Sequence, residues 1–243
     1  MIHKIFQAHE LQPACKAGRS QGPACDGGYY KGASGSKYFD WQNSSAAFTA
    51  HIEARKFHSY IKPSDAVLDF GCGGGHILRH ISCTRRVGVD INPAARAAAI
   101  KAGLECYESI ADVGDDSFNV VISHHALEHV EHPIAVLRAL RRKLAPSGTL
   151  VLYLPMDDWR TQRVYDPDDV NHHLHTWTPQ LLGNSLFEAG FLPHQFSIHI
   201  VGHALFPGVA AAYGKLPEPL VDKLCQVFAI VLRRRQLLAV AIK

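Results

Sequence analysis

The stretch VLDFGCGGG, residues 67–75, constrains this chain more than any other. An apolar run enters an acidic residue, Asp69, and then Gly71, Gly73, Gly74 and Gly75 crowd into five positions. Without a Cβ, a backbone can turn sharply and let a ligand approach closely. A second apolar run, VGVDI, ends on Asp90 and Ile91. An acidic residue at the end of a second strand is well placed to accept hydrogen bonds from ribose hydroxyls. The two runs read together as a nucleoside-cofactor site at the carboxyl ends of parallel strands.

Apolar runs continue to alternate with helical periodicity along the chain. Strands are expected at 66–70, 87–91, 104–108, 117–123, 149–155, 192–200 and 235–243. Helices are expected at 44–61, 75–82, 132–148 and 178–191, and from Pro93 under an Asn92 cap to Gly103. Such alternation argues for an α/β, doubly wound, mostly parallel sheet with helices on both faces. Residues 1–43 read as an N-terminal arm or lid, rich in Gly, Ser, Ala and Pro up to residue 37. Residues 44–243 read as one domain with an inserted helical segment at about 201–234.

Composition excludes some functions. A net charge of +3 is too slight for a nucleic-acid-binding face. The cysteines form no C-x-x-C pair, which suits reduced thiols in the cytoplasm. The chain has no secretory leader pattern at MIHKIFQAHE and no apolar run long enough to span a membrane. Peripheral membrane contact and oligomeric state stay open.

The glycine loop narrows the cofactor. Where the dinucleotide fingerprint G-x-G-x-x-G would place a third glycine, this chain has His76. Asp69, two residues before the first glycine, would repel a pyrophosphate and suit a cation. In these residues the chain resembles the class I S-adenosylmethionine-dependent methyltransferases, whose first motif reads (D/E)-x-G-x-G-x-G. The resemblance runs over residues 45–200 and 235–243. It implies a Rossmann-like sheet of seven strands, with the last strand antiparallel beside the sixth. It also implies S-adenosyl-L-methionine as cofactor and a small-molecule, sugar-linked or lipid-linked methyl acceptor. The cofactor residues it implies are Tyr38, Asp69, Gly71, Cys72, Gly73, Gly75, His76, Asp90, Ile91, Asn92, Glu108, Ser109, Ser123 and His124. Two other readings compete: an NAD-dependent oxidoreductase, and a non-catalytic module that keeps the fold.

Histidines crowd two further blocks. SHHALEHVEHP, residues 123–133, follows the fourth strand and contains H-x-x-E-H, a zinc-protease pattern. Pro133 would cut short the helix that pattern needs, and no third ligand helix follows, so no metal is expected. The segment is similar to one that follows strand four in many small-molecule methyltransferases, and it lines the cofactor mouth there. Glu128 and His129 then read as a structural pair fixing the loop. DPDDVNHHLHTWTP, residues 166–179, resembles the family's H-L-x-x-W/F-T segment, with Trp177 as anchor and Thr178 as helix cap. If the acceptor is a hydroxyl, a base is needed, and His124, His125 and His173 are the candidates. Asp157, Asp158, Asp166, Asp168 and Asp169 read as a solvated acidic loop. Tyr29, Tyr30 and Tyr38 are placed to fold over the cofactor. The apolar residues Leu220, Val221, Leu224, Val227, Phe228, Val231 and Leu232 predict a helix in the insertion, which either packs on its own sheet or, among functional roles, walls the acceptor pocket.

Overall fold

One seven-stranded sheet organises the computed structural model, which describes residues 28–156, 163–202, 204–206, 208–212 and 215–243. The strands are β1 (Ala66–Phe70), β2 (Arg85–Val89), β3 (Glu105–Tyr107), β4 (Phe118–His124), β5 (Leu144–Pro155), β6 (Phe196–Gly202) and β7 (Arg235–Ile242). Their order is β3-β2-β1-β4-β5-β7-β6. β7 runs antiparallel to both β5 and β6, and the pairs among β1 to β5 are parallel. The strand order reverses between β1 and β4. In such a sheet the ligand crevice opens there, at the carboxyl ends.

Side chains alternate across the sheet and bury both faces, as a parallel sheet requires. Leu68, Val121, Leu150 and Leu152 enter one core, under α3 (Pro133–Lys143) and α4 (Pro179–Glu188), with Leu140 and Leu186. Val67, Val120, Ile122 and Val151 enter the other, with Ala54 and Phe57 of α1 (Gly32–His58) and Ala99 of α2 (Pro93–Lys101). The Asn92 cap of α2 is present: its Oδ1 accepts from Ala94 N at 3.0 Å and Ala95 N at 3.4 Å. Thr178 likewise caps α4, accepting from Leu181 N at 3.1 Å. Trp177 is 2% exposed and anchors its loop in the core.

Three helical expectations are corrected. α1 starts at Gly32, not at residue 44. The buried Asn92 Nδ2 donates to Gly35 O at 2.7 Å and pins the start of this helix over the end of β2. The helix expected at 75–82 is a single turn, Leu78–His80. Gly75 is left-handed and cannot open a helix, and Ile81 turns extended to feed β2. The helix expected to run to residue 148 stops at Lys143. Leu144 already pairs with Phe118, and the ladder shifts register before Thr149 meets Val120. Lys143 is 5% exposed, and its ammonium donates to Val113 O at 2.6 Å, which fixes the junction.

Between β6 and β7 lie α5 (Val209–Ala212) and α6 (Glu218–Val231). α6 docks on α1: the Arg55 guanidinium pairs with Glu218 and with Asp222 at 2.7 Å, beside buried Ile52, Val221 and Cys225. The apolar stripe expected here is divided. Val221 faces inward, while Leu220, Leu224, Val227 and Val231 are exposed. Among the described residues, no helix is long and apolar enough to cross a membrane.

Candidate active site

A cavity of about 820 Å³ opens at the β1/β4 switch point. Its floor is Phe70 and Gly71, from the end of β1. Gly71 has φ +76°, and its N–H donates to Val89 O at 2.8 Å. A Cβ there would sit 2.3 Å from Ala126 Cβ, so only glycine lets the loop after β4 close onto the floor.

Asp90, Ile91 and Asn92 form one wall at the end of β2, and Glu108, Ser109 and Ile110 continue it beyond β3. Asp90 binds two backbone amides: Oδ2 accepts from Gly73 N and Oδ1 from Asn92 N, each at 2.8 Å. The carboxylate therefore locks the glycine loop to the end of β2 and still faces the cavity. Burial pushes its pKa up, and these two N–H groups and the nearby Arg96 oppose that rise. Arg96 also pairs with Glu108 at 3.0 Å, and Lys31 reaches Glu108 at 2.9 Å. Glu108 is thereby held well ionised, its pKa lowered first by the Lys31 contact.

Tyr29, Tyr30 and Tyr38 roof the cavity. Their rings meet edge to face, with Tyr30 and Tyr38 centroids 4.9 Å apart, and Tyr29 stacks on His172 at 4.1 Å. Burial raises the pKa of Tyr30 and Tyr38 far out of reach, so both hydroxyls stay protonated.

The opposite end belongs to the loop after β4. His125 takes φ +52°, and its N–H donates to Tyr153 O at 2.9 Å. Its ring lines the cavity, stacked 4.4 Å from His124. His125 Nε2 is buried with no hydrogen-bond partner among the described residues. Burial, then His124 and Lys56, push its pKa well below the usual imidazole value, so the ring is neutral and offers a lone pair. Behind it, His124 contacts Glu53 and the Lys56 ammonium at 3.1 Å each. The segment carrying H-x-x-E-H forms a single turn, Leu127–His129, and His132 stands at the N-cap position of α3.

Several residues expected at the cofactor lie behind the cavity wall. Asp69 is 2% exposed beneath the floor. Cys72 Sγ packs 3.7 Å from Cys106 Sγ against Gly88, the close approach that Gly88 allows. The Ser123 hydroxyl donates to Phe70 O at 2.9 Å and ties β4 to the floor. His76 turns to Asn43 and Arg79, each at 2.6 Å. Gly73 and Gly75 shape the loop from behind, and His124 sits behind His125. His173 is also outside the lining, against His129 with centroids 4.9 Å apart. Asp169 accepts from Asn171 N and His172 N at 3.1 Å each, so this acidic loop caps its own backbone. Asp157, Asp158 and most of the expected arm lie outside the described residues. None of the described residues of the insertion lines the cavity, because α6 is turned toward α1.

A family profile described as a methyltransferase domain matches residues 45–195. The chain belongs to the class I S-adenosylmethionine-dependent methyltransferases. The nicotinamide reading falls with that match. Ubiquinone biosynthesis O-methyltransferases resemble it in sequence. The protein of Nitrosococcus oceani is 33% identical over 94 residues, 34% of this chain and 40% of that one. The protein of Hahella chejuensis is 35% identical over 102 residues, 36% of this chain and 42% of that one. The chain thus matches about two fifths of the length of these curated relatives. Among solved structures, a SAM-dependent methyltransferase from Archaeoglobus fulgidus aligns with TM-score 0.61 at 19% identity, covering 85% of this chain and 99% of that one. The plantazolicin methyltransferase BpumL aligns with TM-score 0.59 at 19% identity, covering 86% and 88%. Both have the same fold.

The methyltransferase cofactor, S-adenosylmethionine, fits what the residues offer. The cavity is roomy by the standards of ligand sites, roughly 300–1,000 Å³. It combines a carboxylate at the end of β2, an exposed apolar neighbour in Ile91, and a floor that a Cβ would fill.

Proposed function

We propose that this methyltransferase acts on a hydroxyl oxygen of a small molecule, free or carried on a sugar or lipid. The observation that carries the reading is a single cavity with two chemically different ends. One end offers Asp90 and Ile91, and the other offers the His125 ring, whose buried Nε2 has no hydrogen-bond partner among the described residues. The relatives named as O-methyltransferases support oxygen over nitrogen or carbon.

In this reading Asp90 accepts hydrogen bonds from the cofactor's ribose, and Ile91 and Ile110 flank its base. Tyr30 and Tyr38 keep water out. Bound, the cofactor supplies an electrophilic sulfonium methyl. His125 accepts the acceptor's hydroxyl proton at Nε2 as the oxygen attacks, and it needs no prior deprotonation near pH 7. Glu53 and Lys56 hold His124, and His124 holds the His125 ring by stacking. The four described cysteines are free, and we assign the reaction to the reducing cytoplasm.

Calorimetry with S-adenosylhomocysteine tests the cofactor half. Asp90→Ala should weaken binding by about 1.5–3 kcal/mol, roughly ten- to 150-fold, through lost charge-assisted hydrogen bonds. Asp90→Asn keeps one acceptor for Gly73 or Asn92 and should lose less. Unchanged affinity in Asp90→Ala would remove Asp90 from the site. His125→Ala tests the acceptor half: turnover on a hydroxyl acceptor should fall about 10²–10⁴-fold at unchanged cofactor affinity. Equal loss of cofactor affinity in that variant would count against a base.

A further inference from the structure

Methyl transfer with a histidine base leaves one side-chain group unused. The ligand atoms of Glu128, His129 and His173 all lie within 4.8 Å of one another. Glu128 and His129 stand on the single turn after β4, and His173 stands on the loop before α4. Backbone bonds join the two segments: Leu174 N and His175 N donate to Glu128 O at 2.8 and 3.1 Å. A ring nitrogen of His175 lies 2.8 Å from Val130 O and fastens the same junction.

The hydrogen bonding around His129 suits a ligand. Its Nδ1 lies 2.7 Å from the Tyr30 hydroxyl, which can donate on to Asn171 O at 3.2 Å or His172 O at 3.3 Å. With Nδ1–H donating to Tyr30, Nε2 keeps its lone pair and faces Glu128 Oε1 at 3.8 Å. Histidines that bind metals are oriented in this way, through the other ring nitrogen. Glu128 has no exposed surface.

We infer that Glu128, His129 and His173 hold a divalent transition-metal cation beside the acceptor end of the cavity, where it binds the acceptor's hydroxyl oxygen. Two imidazoles and one carboxylate suit zinc, manganese, iron or cobalt better than magnesium, which favours oxygen ligands. Three protein ligands leave a coordination position open, as in catalytic metal sites. His129 lines the cavity, so the open position can face it. Ligand atoms about 2.0–2.2 Å from such an ion must approach one another somewhat more closely than 4.8 Å, within reach of side-chain rotation.

The role of this cation rests on the methyl-transfer reading. A cation at the oxygen lowers the pKa of the hydroxyl, as it does for bound water. The hydroxyl proton passes to His125, and the oxygen's electron pair forms the new O–C bond. The C–S bond breaks with its pair going to sulfur, so the sulfonium becomes a thioether.

The test uses the whole chain stripped with chelator and dialysed. Mn²⁺, Zn²⁺ and Co²⁺ are titrated by calorimetry, and the visible spectrum of the Co²⁺ form reports histidine ligation. S-adenosylhomocysteine affinity is measured in parallel as a check on folding. One cation should bind per chain. Glu128→Gln and His173→Ala should each weaken it at least about tenfold while S-adenosylhomocysteine affinity is kept. A wild-type chain that binds S-adenosylhomocysteine but no stoichiometric cation overturns the site. So do variants that bind metal as the wild type does. Should Glu128→Gln fail to fold, His173→Ala alone decides, because its side chain stands on a partly exposed loop. Cation binding without S-adenosylhomocysteine binding would keep the site and overturn the methyl-transfer reading instead.

Discussion

Gly71→Ala should unfold at a markedly lower temperature and lose cofactor binding. Two costs add. A left-handed backbone with a Cβ costs roughly 1–2 kcal/mol. The new Cβ would also lie 2.3 Å from Ala126 Cβ, and relieving such overpacking costs roughly 1–3 kcal/mol more. In a domain of this size each kcal/mol moves the melting temperature by about 2–4 °C, so a fall of roughly 5–15 °C is expected. The structural consequence reaches further than the stability. Ala126 can retreat only by carrying His125 and the turn Leu127–His129 with it, and these make the acceptor end of the cavity. The pairing Gly71→Ala with Ala126→Gly separates the two costs. The second change removes the contact and leaves the backbone strain, so it should restore part of the loss. A melting temperature within about 2 °C of wild type in the single variant would mean the loop after β4 yields freely. The closure of the cavity floor would then need another explanation.

Where local chemistry decides, the structure was legible in the residues. Apolar runs located β1 and β7 to within a residue, and Asn92 and Thr178 announce their helices because a cap acts within one turn. Asp90 and the three tyrosines line the cavity. Several of the misreadings involve partners distant in the chain. The start of α1 is a Gly-Ser sequence with no helical signature, and it is held by Asn92, 57 residues away. Pro146 and Gly148 look like a helix stop, but Leu144 has already joined the sheet opposite Phe118. Asp69 reads as a cofactor contact because it precedes the glycines. Strand alternation turns its side chain into the interior instead, with Phe70 and Gly71 forming the floor. The cluster of Glu128, His129 and His173 was the hardest to see. The proline that rules out a metal helix is real, since Pro133 opens α3, but the third group comes from a loop and not from a helix. His173 was singled out for another reason. Only the backbone bonds from Leu174 and His175 to Glu128 reveal whom it meets.

Asp69 should make the protein less stable as pH rises, and by a large amount. Burial lifts its pKa to about 8, with the charges of Asp90 and then Cys106 adding to the rise. In the unfolded chain an aspartate titrates near 3.9. Below about pH 4 both states hold the proton, and the group has no effect. Between about pH 4 and pH 8 the unfolded chain releases it while the folded protein retains it. Stability therefore falls by up to about 1.4 kcal/mol for each pH unit. Above about pH 8 both states are ionised and the loss is complete, on the order of 5 kcal/mol in all. Asp69→Asn removes the titrating proton and keeps the shape. Its unfolding free energy relative to wild type should climb steadily from pH 5 to pH 8, by several kcal/mol, and then level off. Urea unfolding of both proteins at pH 5, 6.5 and 8 measures this directly. Parallel pH curves would mean that Asp69 is ionised in the folded protein. Its charge would then have to be met inside the sheet, next to the carboxylate of Asp90 that already binds the amides of Gly73 and Asn92.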